Sequence, residues 1–231
     1  RMGGSKMFVS VNTRVAVADL LRGIIVQSGN DACIVVAEGL AGTEEAFAGE
    51  MTERGREIGL LDSTFKNASG WPEEGHVMSA RDIATLSARI INSFPEHYAM
   101  FREKNFTYND IRQGNRNPML YKELGADGLK TGHTEAAGYS LAGSAVRNGR
   151  RLVLVITGLD SVNARAREAE RLLDWGFREF ANYALFDAGE TVTEADVWLG
   201  RAATVPLVIE DELVVTMARK ARRGMTASVH F

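Results

Sequence analysis

With 231 residues, 45% of them apolar and 25% charged, the chain can bury the core of one good-sized globular domain and part of another. A net charge of −3 and the lack of any long basic run argue against nucleic acid as the main partner. Cys33 is the single cysteine, which excludes an internal disulfide, and no apolar run is long enough to cross a membrane.

The chain begins at an arginine with no legible signal peptide, so it reads as a fragment or a processed product. Residues 7–11 alternate like a short strand. Residues 15–27 predict a helix with Val17, Leu20, Leu21, Ile24 and Ile25 on one face. Ser28-Gly29-Asn30 interrupts it, and residues 31–42 resume as a helix that is apolar almost all round, as a helix in mid-core would be. Four small polar residues at that junction exceed what an N-cap needs and suggest a site. Cys33, within this run, reads as a small buried residue.

Thr43, followed by Glu44 and Glu45, opens a helix to about Gly59. Residues 60–77 read as an irregular loop, and Ser79 with Asp82 starts another helix through Ile91. A short helix over 94–102, a strand at Phe106-Thr107-Tyr108 and a polar loop over 112–118 follow. Residues 139–147 and 151–158 read as strands of a hairpin turned by Asn148-Gly149, the second of them apolar on both faces like a central strand. Residues 161–183 predict one amphipathic helix. Short strands at 197–199, 205–209 and 213–215 then read as the start of a separate all-β domain. The expected division is 1–184 and 185–231, both truncated. The fold class is α+β, an antiparallel sheet flanked by helices with a helical subdomain.

Chemistry concentrates in Asp127-Gly128-Leu129-Lys130-Thr131-Gly132-His133-Thr134. Lys130 can fix an anion, Thr131 can donate a hydrogen bond, and Gly132 lets another backbone lie close. Such a segment suits an extended peptide added along a sheet edge, its carboxylate held by the lysine and threonine. Lys-Thr-Gly alone also fits a surface turn.

Ser28-Gly29-Asn30 and Lys130-Thr131-Gly132, 102 residues apart, match two of three motifs of the penicillin-recognising serine enzymes. Longer words, Ile25 to Cys33, Ile111 to Asn117, Asp127 to Thr134 and Trp175-Gly176-Phe177-Arg178, resemble D-alanyl-D-alanine carboxypeptidases of the low-molecular-weight penicillin-binding protein group. The resemblance implies a β-lactamase/transpeptidase-like fold and a serine acyl-transfer reaction. A serine would attack the bond between the last two D-alanines of a peptidoglycan stem peptide, and β-lactams would acylate the same serine. It further implies that Ser28 relays a proton to the leaving amine and that Asn30 holds the substrate amide. Lys130 and Thr131 would take the terminal carboxylate. The His133 backbone N–H would form half of the oxyanion hole, and Arg165 and Arg116 would lie near the carboxylate pocket. Both arginines also read as solvated charges. No metal or cofactor is implied. A periplasmic or extracytoplasmic location and peripheral membrane association of the full-length parent are implied.

The family's third motif, Ser-x-x-Lys, lies about sixty residues before Ser-Gly-Asn, whereas 27 residues precede Ser28 here. Ser63-Thr64-Phe65-Lys66 has the letters, but it follows Ser28 and sits in loop sequence. The chain as written is therefore expected to lack the nucleophile and to be unable to acylate. A D,D-endopeptidase, a class A β-lactamase and a non-catalytic peptidoglycan-binding module are the alternatives.

Overall fold

The computed structural model describes residues 3–226 and 228–230, so positions 1, 2, 227 and 231 of the two expected domain ranges lie outside it. Two compact units divide the chain, Arg1–Leu173 and Asp174–Phe231.

In the first unit, α1 (Val17–Ile25) and α2 (Asn30–Ala41) pack on each other. Residues 7–11, expected as a strand, form none. Met7 is fully buried against Leu20 and Ala32, and the backbone there bonds to a side chain rather than to a neighbouring strand. Asp31 Oδ1 accepts from the Met7 N–H at 2.8 Å and Oδ2 from the Val9 N–H at 3.0 Å. A sequence pattern of period two reports which side chains turn inward, not what satisfies the backbone. α2 is also less enclosed than its composition suggested. Ala32 and Ala37 are buried, but Val35 and Leu40 are exposed and Cys33 is half-buried.

The caps hold. The Thr43 hydroxyl accepts from the Ala46 N–H at the head of α3 (Glu44–Glu57), and the Ser79 hydroxyl accepts from the Asp82 N–H at the head of α4 (Ala80–Ser93). α5 (Pro95–Tyr98) and a 3₁₀ turn over Ala99–Arg102 follow. The segment 112–118 is only partly loop: β2 (Ile111–Gly114) pairs antiparallel with β1 (Asn105–Tyr108).

β3 (Ala126–Thr134), β4 (Gly138–Arg147) and β5 (Arg150–Leu159) form an antiparallel sheet in the order β3-β4-β5. Asn148 and Gly149 both have positive φ, 50° and 75°, the geometry of the tight hairpin their sequence signals. β4, not the more apolar β5, is the middle strand of this sheet; α4 packing over β5 accounts for the apolar residues there.

α6 (Val162–Glu179) ends before the expected Tyr183, because Phe180 already starts β6 (Phe180–Phe186). Its partner β9 (Leu213–Ala218) takes the backbone hydrogen bonds that a longer helix would have kept. β7 (Thr191–Asp196) pairs with β8 (Thr204–Val208). Trp198 and Leu199, read as strand, instead occupy the turn between them, 90% and 85% exposed. Every strand pairing among the described residues is antiparallel, and the fold is α+β with a small β unit last.

Candidate active site

The head of α2 and the outer strand β3 meet across a cleft of about 790 Å³. Ser28, Asn30, Lys130, Thr131, Gly132, His133, Arg116 and Arg165, the residues expected to form a site, all line it. The Lys130 ammonium donates to the Ser28 hydroxyl and, at 3.1 Å, to the Thr131 carbonyl. Two segments 102 residues apart are thereby joined by one polar contact.

Local structure explains each placement. Ser28 sits between α1 and α2 with φ of 56°, a left-handed turn that lifts its side chain out of the helical path. Its neighbour Asp31 ties residues 7–9 to the start of α2, so the acid in this polar cluster is structural. The Asn30 N–H donates to the Ser5 carbonyl at 2.9 Å, and Asn30 Nδ2 donates to the Gly3 carbonyl at 3.2 Å.

β3 is held from behind at its first half. Asp127 accepts from the Tyr98 hydroxyl at 2.7 Å and from two nitrogens of Arg151 at 2.8 Å each. Asn117, fully buried, donates its amide to the Gly128 carbonyl at 2.8 Å. A Cβ at Gly128 would stand 2.6 Å from the Tyr98 hydroxyl, so only glycine permits this closeness. These contacts fix the strand at residues 127 and 128, while residues 130–134 line the cleft. Gly132 is exposed, and a Cβ there would meet only Ser140, at 3.7 Å. The fold itself does not demand glycine at 132.

The electrostatics oppose the chain's overall sign. Arg116, Lys130 and Arg165 line the cleft against one carboxylate, Glu135, although the chain carries −3. Burial, then the nearby charges of Arg116 and Arg165, pull the Lys130 pKa down to about 8, partly offset by Cys33. Arg165 is buried, its guanidinium 5.8 Å from the Tyr139 ring centre, and its Nε has no hydrogen-bond partner. Arg116 is exposed and donates to the Ser5 hydroxyl at 2.5 Å. His133 is exposed, its ring 4.0 Å from that of Tyr139. An anion entering here meets three cations and an exposed strand segment, which together suit the carboxylate end of an extended peptide.

Ser63 lies elsewhere. It is buried and its hydroxyl donates to Asp82 Oδ2 at 2.6 Å, while Lys66 is exposed. The serines that do line the cleft are Ser5, Ser28, Ser69 and Ser140. Sequence reasoning did not find Ser5 or Trp71 at the cleft. The glycines at 3 and 4, which let the Trp71 ring lie close, were the available signal.

Residues 1–161 match the D-alanyl-D-alanine carboxypeptidase family, and residues 180–231 match the C-terminal domain of penicillin-binding protein 5. The D-alanyl-D-alanine carboxypeptidase DacC of Escherichia coli K12 is 40% identical over 227 residues, 98% of this chain and 57% of that protein. The crystal structure of penicillin-binding protein 5 from Haemophilus influenzae aligns with a TM-score of 0.86 at 38% identity, covering 95% of this chain and 64% of that one. Penicillin-binding protein D2 from Listeria monocytogenes, in its ampicillin-bound form, aligns with a TM-score of 0.69 at 28% identity, covering 77% and 74%. The chain spans about half the length of the curated relatives it matches, 57% and 52% of the first two.

Proposed function

The chain belongs to the D-alanyl-D-alanine carboxypeptidase family, and on that premise we propose that the protein removes the terminal D-alanine from peptidoglycan stem peptides through an acyl-enzyme. The observation that carries this reading is the contact between the Lys130 ammonium and the Ser28 hydroxyl at the mouth of a cationic cleft. Lys130 attracts the substrate's terminal carboxylate and Thr131 hydrogen-bonds it. Asn30 holds the amide on the acyl side. The scissile carbonyl oxygen gathers charge in the transition state and takes the His133 backbone N–H. When the C–N bond breaks, the departing D-alanine amine receives a proton through Ser28, which Lys130 re-supplies. With Lys130 at a pKa of about 8, about a tenth of it is neutral at pH 7, which suits a group that gives and regains a proton. Arg165 and Arg116 deepen the positive field, and exposed Gly132 leaves the peptide room beside the strand. Ser63 is buried against Asp82 and is not assigned as the attacking serine; no described residue takes that role.

The same cleft would take β-lactams, whose carboxylate and amide mimic the peptide end. Membership of this family supports a reaction outside the cytoplasm, and the proposal extends to peripheral membrane association of the full-length protein. No described helix is long and apolar enough to cross a membrane.

The protein from its native cell, incubated with Nα,Nε-diacetyl-L-Lys-D-Ala-D-Ala, is expected to release D-alanine, and Ser28→Ala is expected to slow release by ~10²-fold or more. Peptide bound without release would make the protein a binding module. Penicillin turnover faster than peptide turnover would make it a β-lactamase.

A further inference from the structure

Trp71 is half-exposed on the wall of the cleft, on the loop between α3 and α4, and the roles assigned above leave it unused. The loop holds it firmly. Buried Asn67 accepts from the Trp71 N–H at 3.0 Å and donates to the Trp71 carbonyl at 2.9 Å. On one side the ring rests on Gly3 and Gly4: a Cβ at Gly3 would stand 2.6 Å from Trp71 Cη2. A Cβ at Gly4 would stand 3.1 Å from Trp71 Cζ3 and 2.6 Å from Asn30 Nδ2, so the indole and the Asn30 amide are neighbours.

A large aromatic surface kept rigid and wet is an apolar platform awaiting a partner. Its partner follows from Asn30. If the terminal carboxylate sits at Lys130 and Asn30 takes the amide on the acyl side, the side chain next to that amide belongs to the residue before the D-Ala-D-Ala pair. We propose that Trp71 is a specificity-determining residue that packs against the aliphatic stem of that third-from-last residue, favouring a long side chain such as lysine or diaminopimelate over a short one. This rests on the function proposed above.

Equilibrium binding to the 231-residue chain separates the two claims. Nα,Nε-diacetyl-L-Lys-D-Ala-D-Ala is expected to bind about tenfold more tightly than Nα-acetyl-Gly-D-Ala-D-Ala, as burying a few methylenes on an aromatic face would give. Trp71→Ala is expected to abolish that preference while leaving the glycyl peptide's affinity within about twofold, and Trp71→Phe to keep most of it. A preference that survives Trp71→Ala, no preference in the native chain, or competition by an N-acetylglucosamine–N-acetylmuramic acid disaccharide lacking peptide each overturns the assignment. Both peptides binding with equal strength leaves the carboxylate pocket standing; neither binding fells the pocket and the Trp71 subsite together.

Discussion

The proposed function asks Lys130 to be two things, a cation for the ligand's carboxylate and a proton carrier for Ser28, and its environment sets the balance. Burial lowers its pKa to about 8, so the charged form that attracts a carboxylate disappears as pH rises through about 8 rather than through 10.5. Binding of a peptide ending in D-Ala-D-Ala to the chain should therefore weaken above pH 8, and a bound carboxylate should move the midpoint upward. The sign for stability is opposite. Between about 8 and 10.5 the unfolded chain holds more protons on this lysine than the folded chain does, so stability from this residue rises with pH over that window. Lys130→Met should then melt higher than the native chain at pH 7 while losing roughly 30- to 100-fold in affinity for the peptide. Calorimetry of unfolding and of binding on the same variant reads both; a variant that melts lower contradicts the desolvation argument.

At the scale of elements, the sequence made the helices and the Asn-Gly hairpin legible because caps and turn residues act within four residues of themselves. Thr43, Ser79 and Asn148-Gly149 all do what their types imply. What stayed hidden were contacts with no local signature. Met7 is buried like a strand residue but hangs from Asp31, 24 positions away. Phe180 continues the apolar pattern of α6 yet starts β6, since only the distant β9 decides the matter. The cleft-lining residues Ser28, Asn30 and 130–133 were legible as motifs, while the support from Asp127, Tyr98, Arg151 and Asn117 was not. Asp31 provides the element-scale test. Asp31→Ala leaves the Met7 and Val9 N–H groups without their acceptor, and should cost about 1–3 kcal/mol in urea unfolding, with loss of peptide binding because Gly4 and Ser5, just before the stapled segment, line the cleft. Unchanged stability would mean the staple is idle.

At the scale of the molecule, one question is whether the only Ser-x-x-Lys in these 231 residues can act as a nucleophile. Ser63 is buried on Asp82 and is absent from the cleft lining, so the chain should show no covalent labelling by a fluorescent penicillin. Ser63→Ala should leave that result unchanged and lower the urea midpoint, because Asp82 loses a buried donor. Labelling that vanishes in Ser63→Ala would reverse this. A larger consequence follows from the half-covered outer strand. Asn117 caps the β3 backbone at the Gly128 carbonyl and Tyr98 holds the Asp127 side chain, whereas Gly132 and His133 further along are exposed, the kind of edge on which identical molecules can zip together into aggregates. A second copy arriving there would have to lay its own strand beside an ammonium and two guanidinium groups. The charge proposed to draw in a peptide's acid would thus also fend off self-association, and a seated peptide would serve as a plug: concentrated solutions should stay clear longer with it than without.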